Sequence, residues 1–77
     1  MISFSNDKNG KYRILCKNSG KVVLEKNYLN NSLHGEYVYY WDNGQIRFSG
    51  MFLNNRRTGI WINYDKKGII IFKEKFT

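Results

Sequence analysis

An all-β fold, a single-layer antiparallel meander of tandem β-hairpins, is predicted for this 77-residue chain by three observations. Glycines recur at a fixed step, apolar residues alternate with others between them, and 17% of the residues are aromatic. Gly20, Gly44 and Gly68 stand 24 residues apart, and Gly35 and Gly59 keep the same step. A fixed period of this length marks one supersecondary unit used repeatedly. Other positions keep the register: Val22 matches Ile46 and Ile70, Leu24 matches Phe48 and Phe72, and Tyr28 matches Phe52 and Phe76. Tyr37 returns as Trp61 and Tyr40 as Tyr64, while Leu29-Asn30-Asn31 recurs as Leu53-Asn54-Asn55.

The strands follow in order. Residues 2 to 5 form a candidate extra edge, and a first strand is expected over 11 to 17. Further strands are expected over 21 to 28, 36 to 41, 45 to 53, 60 to 64 and 69 to 76. In the fourth of these six, Ile46, Phe48, Gly50 and Phe52 alternate with Arg47, Ser49, Met51 and Leu53, the period of a strand with one buried face. The turns carry matching chemistry. Asn43-Gly44 is a strong hairpin signal, and Ser19-Gly20 and Lys67-Gly68 occupy the same place. Asn30-Asn31 and Asn54-Asn55 supply the second turn of each unit, because Asn tolerates a left-handed backbone better than any residue except Gly. Gly20, Gly35, Gly44, Gly59 and Gly68 are therefore structural turn positions. The first unit is irregular: Lys11 stands where the step calls for a glycine, with Gly10 one residue early. Terminal repeats often diverge in this way.

The chain reads as one domain over 1–77. It divides into a divergent N-terminal unit 1–17, repeats 18–41 and 42–65, and a partial repeat 66–77. A chain this short closes at most one core.

The run Gly35-Glu36-Tyr37-Val38-Tyr39-Tyr40-Trp41-Asp42-Asn43-Gly44, echoed by Gly59-Ile60-Trp61-Ile62-Asn63-Tyr64-Asp65-Lys66-Lys67-Gly68, resembles the MORN-repeat family. Tyr28, Asn30, Asn31, His34, Gly35 and Tyr37 are similar to the bacterial variant described as antitoxin-like. The likeness covers 18 to 77 and extends less fully to 11 to 17. Asn31 and Asn55 depart from it where a turn glycine is usual, and Thr58 stands in place of the histidine. The resemblance implies stacked hairpins used for protein contact, sometimes lipid contact, and in some bacterial members toxin neutralisation.

No catalytic constellation is evident, and no catalytic or metal-binding residue is assigned. His34 is the only histidine, placed beside Gly35 in an expected turn, where hydrogen bonding to the turn backbone explains it. Cys16, the only cysteine, shares a strand period with Tyr12 and Ile14 and reads as a small apolar residue; it allows no internal disulfide and no thiolate cluster. The six Asp and Glu are scattered, without the spacing of a divalent-metal loop. Every glycine except Gly10 and Gly50 belongs to the turn period, which leaves no phosphate cradle. The expectation is a non-enzyme with no cofactor.

Contact residues are more informative. Tyr39 and Trp41 break the repeat, having Asn63 and Asp65 as counterparts, so the repeat itself does not require them. Tyr and Trp are enriched at interface hot spots. Arg56-Arg57 replaces Ser32-Leu33 in the corresponding turn and would put two fork-shaped donors on an exposed tip. With Arg47, these five form the expected partner-binding set.

A net charge of +7 and a pI near 9.7 favour an acidic protein, a nucleic acid or an anionic headgroup. The first-ranked expectation is a stoichiometric inhibitor or antitoxin-like immunity protein that covers a larger acidic protein. Nucleic acid or nucleotide binding by Lys/Arg and stacked Tyr/Trp is the alternative, and a peripheral membrane or scaffold role comes third, without an amphipathic helix to support it. The N-terminus lacks the pattern of a secretory signal and no apolar run approaches a membrane span, so a cytoplasmic location is expected. Unpaired sheet edges make a homodimer a further expectation.

Overall fold

The computed structural model describes residues 7–77, so the candidate edge at residues 2 to 5 lies outside the described residues. Six strands form one antiparallel sheet in sequence order: β1 Gly10–Leu15, β2 Val22–Leu29, β3 Ser32–Tyr40, β4 Ile46–Leu53, β5 Arg56–Tyr64 and β6 Ile70–Phe76. The described residues contain no helix. The sheet measures 54 × 37 × 10 Å, the thickness of a single layer.

Two kinds of turn alternate along the meander. The tight ones are two-residue hairpins at Asn30-Asn31 (φ 49° and 71°) and Asn54-Asn55 (φ 50° and 69°). Positive φ at both central residues gives a turn whose twist matches the flanking strands, so pairing resumes immediately. For that reason β3 starts at Ser32 rather than 36, and β5 at Arg56 rather than 60. The wider loops are each closed by a backbone bond from the first residue's N–H: Cys16 to Lys21 (2.8 Å), Trp41 to Gln45 (2.7 Å) and Asp65 to Ile69 (2.8 Å). The first of these loops is one residue longer than the other two. That extra residue explains the irregular first unit. Gly10 pairs with Tyr28 as Gly35 pairs with Phe52 and Gly59 with Phe76. It is thus Gly10, not Lys11, that takes the glycine place, with φ 90° against 103° and 70°. The remaining strand bounds differ from expectation by one or two residues.

The turn asparagines also lace neighbouring hairpins together. Asn55 donates its backbone N–H to the Leu33 carbonyl (2.9 Å), while its Oδ1 accepts from the Leu33 N–H (2.8 Å). Asn31 repeats the arrangement on Lys8, at 3.0 and 2.7 Å. Glycine could adopt the same backbone but could not supply the side-chain acceptor. This accounts for asparagine rather than glycine at these two turns.

A single layer has no enclosed interior, and among the described residues only Trp61 is buried, at 4% exposure. Its indole lies flat on the β4 backbone at Gly50, where a Cβ would fall 2.1 Å from Cδ2 of the ring. The Trp61 Nε1–H donates to the Met51 carbonyl (3.2 Å). Strand alternation then sorts the side chains onto two faces. One carries Tyr37, Tyr39, Phe48, Phe52, Trp61 and Phe76. The other holds an aliphatic patch of Val38, Ile46, Met51, Ile60 and Ile62 around a 280 Å³ depression.

Candidate binding face

The aromatic face is a continuous seam. Tyr39 stacks on Phe48 (centroids 5.2 Å), Phe48 meets Trp61 (6.1 Å), and Trp61 meets Phe76 edge-on (6.3 Å). Tyr37 closes the middle against Phe48, Phe52 and Trp61 at 6.2, 5.1 and 5.8 Å. Register brings these rings together, since Tyr39 pairs with Phe48 and Tyr37 with Gly50. Gly50 leaves the space in which the Trp61 ring crosses β4.

An arginine sits at each end of the seam. Arg47 is the extra residue where the register shifts opposite Tyr39 and Tyr40, and its guanidinium lies over Trp41 (4.5 Å) and Tyr39 (5.5 Å). Arg57, at the head of β5, covers Trp61 (5.3 Å) and Phe76 (5.4 Å). Lys66 adds a second cation over Trp41 at 5.4 Å. Among the described residues only Lys11 and Arg13 form ion pairs, both with Glu25 (3.7 and 3.3 Å). The stacked arginines therefore hold their charge without a carboxylate. A guanidinium over a ring gains about 0.5–1 kcal/mol and loses rotamer freedom, so its N–H edge is partly preorganised.

The five expected contact residues separate into three placements. Tyr39, Trp41 and Arg47 come together at one end of the seam, and Arg57 caps the other. Arg56 is exposed at the start of β5 with no aromatic contact given to it. One expectation needs correction. Arg56 and Arg57 are not at a turn tip, because the turn is Asn54-Asn55 and strand pairing begins at Arg56 opposite Leu53. Tyr39 and Trp41, which the repeat does not require, are both half-buried, and the Trp41 Nε1–H donates to the Tyr64 carbonyl (3.2 Å).

His34 also differs from expectation. It lies within β3 rather than in a turn, and its Nδ1 is enclosed without a hydrogen-bond partner. On the opposite face from the seam, the Tyr40 hydroxyl donates to Glu25, and that bond is the main cause holding the Glu25 carboxyl below its ordinary range. The same bond, with burial, pushes the Tyr40 phenol up to about 12. Neither this pair nor Lys66 was legible as a site: their partners lie 15 and 25 positions away, and the repeat, which marks Tyr40 only as a recurring aromatic, does not join it to Glu25.

Beside Trp41 lies a concavity of about 360 Å³ whose walls include Cys16, Lys21, Val22, Tyr39, Arg47 and Lys66. The described residues contain no group of three His, Cys, Asp or Glu that could hold a metal ion, and no helix long and apolar enough to cross a membrane.

No protein-family model matches this chain, and neither a curated protein nor a solved structure does.

Proposed function

We propose that the protein is a non-catalytic binding module whose aromatic face covers an acidic surface of a larger protein, in the manner of a stoichiometric inhibitor or an antitoxin-like immunity protein. One observation carries the reading: an unbroken seam of rings runs from Tyr39 to Phe76, capped at both ends by stacked arginines that have no carboxylate of their own. Buried aromatic anchors with charged forks at their margins are the chemistry of interface hot spots, and a fork held over a ring can take a carboxylate bidentately. The MORN resemblance points the same way. Binding a string of nucleobases fits less well, because Phe48 covers Tyr39, and Arg47 and Lys66 occupy the neighbourhood of the Trp41 ring.

The test compares charge reversals on the two faces. Arg47→Glu with Arg57→Glu should abolish recovery of a partner from the native host, whereas Lys73→Glu with Lys75→Glu should retain it. Equal recovery by both variants, or loss only with the lysine pair, would refute the assignment to this face.

A further inference from the structure

We propose that the concavity beside Trp41 is a binding site for a small phosphate monoester with a flat apolar body. The inference does not rest on the protein-binding reading, because it needs no protein partner, although the pocket shares Tyr39 and Arg47 with one end of the seam.

Charge is the first argument. Lys21, Arg47 and Lys66 line the pocket against a single acid, Asp42, and none of the three cations is in an ion pair among the described residues. Arg47 and Lys66 both approach the Trp41 ring, at 4.5 and 5.4 Å. Their heads therefore lie within about 10 Å of each other, close enough to share one bound group. Among the described residues no hydrogen bond occupies the Arg47 fork. The surplus is two positive charges, which matches a phosphate dianion better than a carboxylate monoanion, and three terminal oxygens suit a fork plus ammonium groups.

Shape is the second argument. The volume, about 360 Å³, falls at the small end of ligand-binding cavities, whose walls are mostly apolar with a few polar groups that fix orientation. Val22, Val23 and the Tyr39 ring supply those walls. Elsewhere the aromatic face has a smaller hollow of about 190 Å³ beside Trp61, whose lining holds one cation, Arg57, and one acid, Glu74.

The pocket also contains its own reporter. Cys16, the single cysteine, lies in its wall, and hydrogen bonds from the Ser19 hydroxyl and from the Ser19 and Asn18 backbone lower its thiol below the ordinary range. Alkylation near neutral pH should therefore be measurable and sensitive to occupancy.

Phenyl phosphate, inorganic phosphate, benzoate and phenol are the probes, each titrated by calorimetry and by the rate of Cys16 alkylation. Phenyl phosphate should bind more tightly than the other three, slow alkylation in proportion to occupancy, and weaken as salt is added. Arg47→Ala should reduce its affinity by about tenfold or more, the range for a lost hydrogen bond to a charged group. Arg47→Lys, which keeps the charge and guards against misfolding of the alanine variant, should recover part of it. Lys75→Ala on the opposite face should change nothing. The proposal is overturned if phenyl phosphate binds no better than inorganic phosphate, if benzoate matches it, or if Cys16 alkylation is indifferent to all four.

Discussion

Gly50 lacks a side chain for a reason that the turn period could not supply: the Trp61 ring occupies the space. A Cβ there would meet Cδ2, Cε2 and Cγ of the indole at 2.1, 2.2 and 2.5 Å, so the tryptophan must move off β4 or the strand must bend. Gly50→Ala should therefore destabilise the fold by about 1–3 kcal/mol, the cost of overpacking, as read from urea denaturation. An unchanged midpoint would show that Trp61 does not lie on β4. The asparagine clamps allow a finer test. Asn55→Gly keeps the left-handed backbone but removes the Oδ1 acceptor from the Leu33 N–H, a loss of about 0.5–1.5 kcal/mol. Asn55→Ala adds roughly 1–2 kcal/mol of left-handed strain. Alanine should thus be the more damaging replacement, and the reverse order would mean that the turn conformation is wrong. From sequence, Asn55 was legible as a turn residue but not as a lace, because its partner lies 22 positions away.

At the scale of elements, the period and the turn dipeptides were enough to place all six strands and their antiparallel order. What they left out was strand length. The segments Ser32–Gly35 and Arg56–Gly59 carry too little alternation to read as strand, and the two-residue Asn-Asn turns extend pairing into them. The one-residue offset of β1 was legible, but its location was not: it lies in the Cys16–Lys21 loop rather than in the strand. Between β2 and β3, the Glu25–Tyr40 bond ties stability to pH. Because the folded Tyr40 phenol, at about 12, lies above its ordinary 10.0, the bond stabilises fully below pH 10 and is lost as pH rises from there to 12. Because the Glu25 carboxyl is lowered, its contribution is present above the ordinary 4.5 and is lost as pH falls through the folded value. Urea midpoints should drop between about pH 8 and pH 11 more in the native protein than in Tyr40→Phe. Equal drops would remove the bond from the account.

For the whole molecule, the decisive feature is that six strands form one layer in which Trp61 alone among the described residues is buried. Ile60 is 56% exposed and Met51 45% on the aliphatic face, whereas Trp61 in the seam is 4% exposed, so burial is deepest there among the described residues. Trp61→Ala should remove most of the stability, about 3–5 kcal/mol, which in a domain this small means loss of the cooperative urea transition. Retention of a sharp transition would place the core elsewhere. The single-layer architecture was readable from the repeat. The division into an aromatic, arginine-capped face and an aliphatic one depends on register, which the bulges in every strand pair shift locally.

That thinness is what leaves a whole aromatic face available to a partner, and small-angle X-ray scattering measures it directly. The single chain should scatter with a radius of gyration near the 14.7 Å of its Cα trace and a thickness of one sheet. A radius near 11.5 Å, expected of a compact domain of this length, or a thickness of about 20 Å from two sheets packed face to face, would contradict it.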